Sequence, residues 1–150
     1  LTQSIIRNVA IGRLDHHDKH GFLDLPALVG DASKWSNRFK VKTPSIEAPV
    51  QSLSGGNQQR VVLARWLARA PLVLILNGPS VGVDVGSKSD IHDIIRSLAS
   101  SGLGVVVISD DLPELISTCH RILVMRLGKI IDEVGAGTVT EDELAYKLAS

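Results

Sequence analysis

Aromatic residues, sulfur and net charge are all scarce in this chain of 150 residues. The single cysteine, Cys119, excludes an internal disulfide and suits a reducing compartment, where thiols stay free. Phe, Trp and Tyr together make up 3% of the residues, and 16 Lys and Arg are balanced by 16 Asp and Glu. With no formal net charge there is no global field toward nucleic acid or anionic lipid, and no basic stretch is interleaved with aromatics. No apolar run reaches the roughly 20 residues a membrane helix requires. The first residues show no leader pattern. The only methionine is Met125, so Leu1 is not an initiator and a piece of a longer polypeptide is expected. Also missing is any Gly-x-x-x-x-Gly-Lys-Ser/Thr loop, the strongest short signal for a phosphate cradle.

The 44% hydrophobic and 21% charged content belong to a globular chain, long enough for one domain with a real core. Residues 72–76 form an apolar run without alternation, expected to be a strand buried on both faces of a parallel sheet. Ile91, Ile94, Ile95, Leu98 and Ala99 share one helical face, and Gly102 and Gly104 end that helix. Residues 105–108 make a second buried strand, completing a βαβ unit whose functional edge lies at the strand carboxyl ends. Asn77 and Asp110 fall at that edge. A short helix over 112–118 follows, then a hairpin of residues 121–125 and 129–134 turning at Leu127-Gly128. Thr140 with Glu143 reads as a capping box opening a last helix. Nearer the start, scattered apolar residues over 23–39 suit helices, and residues 41–44 read as extended before Pro44. His16, His17 and His20, with Asp15 and Asp18, could belong to a metal site or to a solvated loop. No second cluster completes four ligands.

Residues 52–60, Ser-Leu-Ser-Gly-Gly-Asn-Gln-Gln-Arg, lead into an amphipathic run ending at Arg69. Adjacent glycines after a serine, at a helix start, suit an anion: backbone can approach closely and the first-turn N–H groups point outward. A plain serine-glycine helix cap is the other reading of the same residues.

Residues 53–60 resemble the signature motif of ATP-binding-cassette (ABC) proteins, in the Asn-Gln-Gln variant of monosaccharide importers. At the family's spacing, residues 72–79 look like the Walker B strand and 81–84 like the D-loop, while 1–11 resemble the segment after the Q-loop. The resemblance implies an α/β fold, a partial P-loop NTPase (ABC ATPase) domain in three layers with parallel core strands and a helical signature subdomain. Residues 1–57 would be that helical subdomain, and 58–150 the C-terminal part of the RecA-like ATPase core. It further implies two nucleotides sandwiched head to tail between two such domains. Leu53, Ser54, Gly55, Gly56, Asn57 and Gln58, with Asp84 of the D-loop, would face ATP held by the partner domain's P-loop.

This chain departs from the family pattern at three positions. Asn77 stands at the Walker B aspartate that holds Mg²⁺, Gly78 at the catalytic glutamate, and Asp110 at the H-loop histidine. For Asp110 the plainer alternative is an N-cap of the helix over 112–118. Phosphoryl transfer needs metal-neutralised charge and an oriented nucleophile, so the resemblance implies a domain that keeps its signature and has lost its own hydrolytic residues. The intact polypeptide would be an ATPase and this chain alone would not, with Mg²⁺ not tightly held. The implied setting is the cytoplasmic face of a membrane, as the second nucleotide-binding domain of a sugar importer. Its partners would be another nucleotide-binding domain, a permease subunit and a periplasmic or extracellular solute-binding protein, with no nucleic acid. A nucleoside importer, a DNA- or ribosome-directed ABC ATPase and a regulatory remnant are the rival readings.

Overall fold

Turn chemistry and apolar periodicity account for most of the element boundaries. A computed structural model describes residues 2–14, 17–19 and 22–149. The elements run α1 (Ile5–Ala10), β1 (Asp18–Lys19), β2 (Phe22–Leu23), α2 (Leu25–Arg38), α3 (Gly55–Leu67), β3 (Val73–Asn77), α4 (Val85–Ser100), β4 (Gly104–Ile108), α5 (Leu112–Thr118), β5 (Arg121–Arg126), β6 (Lys129–Gly135) and α6 (Glu141–Ala149). They fall into two compact units, one of Leu1–Leu72 with Ser80–Ile91, the other of Val73–Pro79 with His92–Ser150.

In the first unit α1, α2 and α3 pack on one another. Ser4 caps α1 and Asp24 caps α2, each side-chain oxygen accepting a first-turn N–H. Ile5, Val9, Ala32, Val61, Leu63 and Ala64 are buried, so each helix contributes one apolar stripe. Gly12 lets the end of α1 lie on α3, because a Cβ there would stand 2.4 Å from the Arg65 carbonyl oxygen. Ile5 and Ile6 donate to Ala48 and Ile46, which binds the start of the chain to the segment before the signature. Arg60 is buried on α3 and donates from Nη1 to the Phe39 carbonyl at 3.1 Å, while its Nη2 pairs with Asp90 on α4. His17 lies 2.9 Å from Asp31, which also faces Arg13 at 3.2 Å. His16, His20 and Asp15 lie outside the described residues. Among the described residues no group of three His, Cys, Asp or Glu could hold a metal ion.

In the second unit β3 and β4 pair in parallel, Val73 with Gly104 through Asn77 with Ile108. This is the expected βαβ arrangement, but within this chain the strands are not buried on both faces. Leu74 and Leu76 are buried while Val73 and Ile75 are 57% and 66% exposed, and Val106 and Ile108 are exposed too. Among the described residues the sheet has two strands, and one of its faces is left open. An apolar run without alternation cannot reveal that, because both faces carry the same residue types.

The hairpin β5–β6 turns on Leu127 and Gly128, both at positive φ (48° and 76°), the two-residue turn whose twist matches that of the strands. The Thr140 hydroxyl and Glu143 carboxylate cap one another's N–H groups, so α6 begins where the capping box placed it. Ile122, Val124, Ala136 and Leu144 form the buried cluster beneath, with Leu112, Leu115 and Ile116 packed against it.

Candidate functional site

Ser54 occupies the N-cap of α3 in extended conformation (φ −60°, ψ 154°), yet no side chain caps that helix. The Ser54 hydroxyl instead accepts from Asn57 Nδ2 at 2.9 Å. Asn57 Oδ1 in turn accepts the Lys42 N–H at 2.8 Å, and Gln58 Nε2 donates to the Leu53 carbonyl at 2.8 Å. The two amides thus brace the loop from behind. Ser54 and Gly55 stay exposed, Leu53, Asn57 and Gln58 are half-buried and Gly56 is buried. A 13-residue helix whose serine leaves its first-turn donors alone has the chemistry to receive an anion.

Within the chain itself these two positions have no room for a Cβ. One built on Gly55 would stand 2.7 Å from the Gly82 carbonyl oxygen, and one on Gly56 would stand 2.5 Å from the Ser87 Cβ. Both glycines are required by the segment over 82–87 that lies against them. Asp84 belongs to that segment and is exposed. Its Oδ1 accepts the Ser87 N–H at 3.0 Å, and the Ser87 N–H and hydroxyl hold its carboxyl below the usual aspartate range. Asp84 therefore caps the start of α4, and Ser87 lies against both Gly56 and this carboxylate.

The other three positions lie in the second unit, at the carboxyl edge of β3–β4. Asn77 ends β3 with its side chain exposed, a neutral amide. Gly78 follows at φ +56°, and its N–H donates to the Ile108 carbonyl at 2.8 Å. Asp110 is exposed in the loop after β4. It is not the cap of α5: Asp111 is, its Oδ1 accepting the Glu114 N–H at 2.9 Å. Asp111 directly precedes Leu112, and only from there can a side chain reach the N–H three residues on. An amide, a glycine and one carboxylate are a poor donor set for Mg²⁺, which prefers carboxylates and phosphate oxygens.

No family model matches the chain. It is 40% identical over 144 residues to the L-arabinose transport ATP-binding protein of Geobacillus stearothermophilus, an alignment covering 96% of this chain and 28% of that protein. With the ribose import ATP-binding protein of Rhodococcus jostii it shares 42% identity over 146 residues, 97% of this chain and 29% of the relative. The chain belongs to the ATP-binding-cassette family. It spans less than a third of the length of these curated relatives. Solved ABC structures share the fold. An inward-facing putative metal-chelate type ABC transporter superimposes with a TM-score of 0.82 at 18% identity, covering 99% of this chain and 59% of that one. A dimeric post-hydrolysis cassette bound to ADP and Pi gives 0.73 at 22% identity over 91% and 58%. The chain is thus a partial cassette domain of α/β fold, as the resemblance implied.

The sequence reading did not single out Ser87, Asp90, His92, Ser109 or Glu114. A signal existed for two of them. Asp84-Val-Gly-Ser87 and Asp111-Leu-Pro-Glu114 both have the spacing of an N-cap and its third helical residue. Nothing local signals that Arg60 pairs with Asp90, or that His92 meets Glu114.

Proposed function

We propose that this chain is the C-terminal part of the second nucleotide-binding domain of an ABC importer ATPase that energises sugar uptake. Its signature, Leu53 to Gln58, lends an anion-binding helix start to ATP held by the P-loop of another nucleotide-binding domain, and Asp84 reaches toward that partner. Its own edge, with Asn77, Gly78 and Asp110, is degenerate, and Mg²⁺ is not held there by this chain alone. Residues 1–57 and 58–150 act as helical subdomain and ATPase core. The polypeptide works at the cytoplasmic face of the membrane with a permease subunit, supplied by a solute-binding protein.

The observation that carries this reading is the uncapped start of α3, where Ser54 stands exposed and braced by Asn57 rather than spent on its own helix. The likeness to arabinose and ribose import proteins supports the solute class. Ser54→Arg in the intact polypeptide is the test. An exposed arginine there leaves folding intact and fills the space before the helix start, so ATP turnover falls by about 100-fold or more, the scale of losing a transition-state contact. Turnover near wild type would show that the motif no longer serves a nucleotide.

A further inference from the structure

Glu114 is the one acidic side chain in the second unit that is almost wholly inaccessible, at 2% exposure. Both of its carboxylate oxygens are engaged. Oε1 lies 2.8 Å from His92 Nε2 on α4, and Oε2 accepts the Ser109 hydroxyl at the exit of β4. The Ser109 oxygen also accepts the Asp111 N–H at 3.1 Å, and Asp111 Oδ1 accepts the Glu114 N–H. Ser109, Asp111 and Glu114 therefore close a ring of hydrogen bonds around the loop. Asp110 is the residue between the two pinned ones, and it alone faces solvent. Immediately before it, the Ile108 carbonyl holds the Gly78 N–H. Helix α5 is fastened to α4 a second time, Arg96 Nη1 donating to the Ser117 carbonyl at 2.8 Å.

A carboxylate buried this deeply is costly unless its oxygens are met by donors. His92 meets one oxygen and thereby leaves the other for Ser109. Glutamine is a poorer replacement for Glu114, because an amide accepts on one oxygen only and one partner must then turn from donor to acceptor, His92 by changing tautomer or Ser109 by giving up its present hydroxyl orientation. We infer that Glu114 is a positioning residue: with His92 behind it and Ser109 in front, it fixes the loop that carries Asp110 at the carboxyl edge of β3–β4. The inference adds a role at the edge proposed above to be degenerate, but the geometry behind it involves no nucleotide.

The test is amide hydrogen exchange on the full chain, read at Asp111, whose N–H ends on the Ser109 hydroxyl. Ser109→Ala, Glu114→Gln and His92→Phe should each speed that exchange by about tenfold or more, the scale of one charge-assisted hydrogen bond. His92→Gln carries an amide nitrogen where Nε2 sits and should keep the Asp111 rate within about threefold of wild type. The Val106 amide in β4 reports that the sheet is intact. A role for His92 in apolar packing alone predicts the opposite order, with phenylalanine protective and glutamine not. That order, or wild-type exchange in Ser109→Ala, overturns the inference. Should Glu114→Gln fail to fold, Ser109→Ala and the two His92 variants decide between the two roles. Repeating the measurement on the intact polypeptide with Mg·ATP separates loop geometry from nucleotide binding. Extra protection at Asp111 supports nucleotide at this edge, and no change counts against the nucleotide while leaving the loop geometry decided by the first arm.

Discussion

Placing acidic residues at Asn77 and Gly78, the edge we propose to be degenerate, should give little, for a reason that lies in the backbone. The obvious repair is Asn77→Asp with Gly78→Glu, which would supply the carboxylates found at these positions in the ABC pattern. Asn77 is exposed, and aspartate is nearly isosteric with it, so that half is free of strain. Gly78 is different. It sits at φ +56°, where an L-residue costs roughly 1–2 kcal/mol. Glutamate could escape by moving to negative φ, but with β3 held in the sheet that rotation swings the fully buried Pro79 out of its place. The first route lowers stability by about 1–2 kcal/mol, and the second moves the backbone around the new carboxylate. Two measurements check this. In urea unfolding, Gly78→Ala should lose about 1–2 kcal/mol and Gly78→Asn less, since asparagine tolerates the left-handed region. In the intact polypeptide, with the other domain's catalytic glutamate neutralised, single-turnover hydrolysis should rise by less than about tenfold on the double change. An alanine variant as stable as wild type, or a larger gain in hydrolysis, would refute the argument.

Three further outcomes follow from local geometry. Gly56→Ala drives a Cβ into Ser87 and should cost about 1–3 kcal/mol; Ser87→Gly in the same molecule should return part of it, and strictly additive unfolding energies would count against the contact. Leu127→Asn, at a position with φ +48°, should raise stability by about 1 kcal/mol in thermal or urea unfolding. No change there would mean the turn relaxes in solution. The Thr140 N–H and hydroxyl hold the Glu143 carboxyl below its usual range. The cap therefore contributes fully above the usual glutamate value of about 4.3 and is lost as pH falls through the lower folded value. Acid-unfolding curves of wild type and Glu143→Gln should separate above that pH and converge below it, and parallel curves throughout would contradict the assignment.

What the sequence made legible was whatever one element decides alone. The apolar face of α4, the parallel pairing implied by β3–α4–β4, the Leu127-Gly128 turn and the Thr140–Glu143 cap all depend on neighbours a few residues apart. Which side of the strands this chain covers was not legible, because Val73 and Leu74 are both apolar and only the packing of other elements separates them. The cap of α5 was read one residue early, on Asp110, because two adjacent aspartates precede Leu112 and spacing to Glu114 had to choose between them. The contacts that support the candidate site were out of reach. Gly56 with Ser87, Arg60 with Asp90 and His92 with Glu114 join residues far apart in the chain, and no periodicity encodes such partners. The two glycines were recognised, but the sequence carried no sign that the Gly82 carbonyl and Ser87 also leave no room there for a Cβ.

That last contact restricts how the protein can change. A substitution adding a Cβ at 55 or 56 is tolerated only if the stretch over 82–87 yields room first. Neither stretch can drift alone; a lineage must cross a less stable intermediate or alter both together. The same constraint governs engineering. A chimera that imports a foreign stretch over 53–58 without a matching stretch over 82–87 inherits two surfaces shaped for different neighbours, so the smallest exchangeable module is both stretches together.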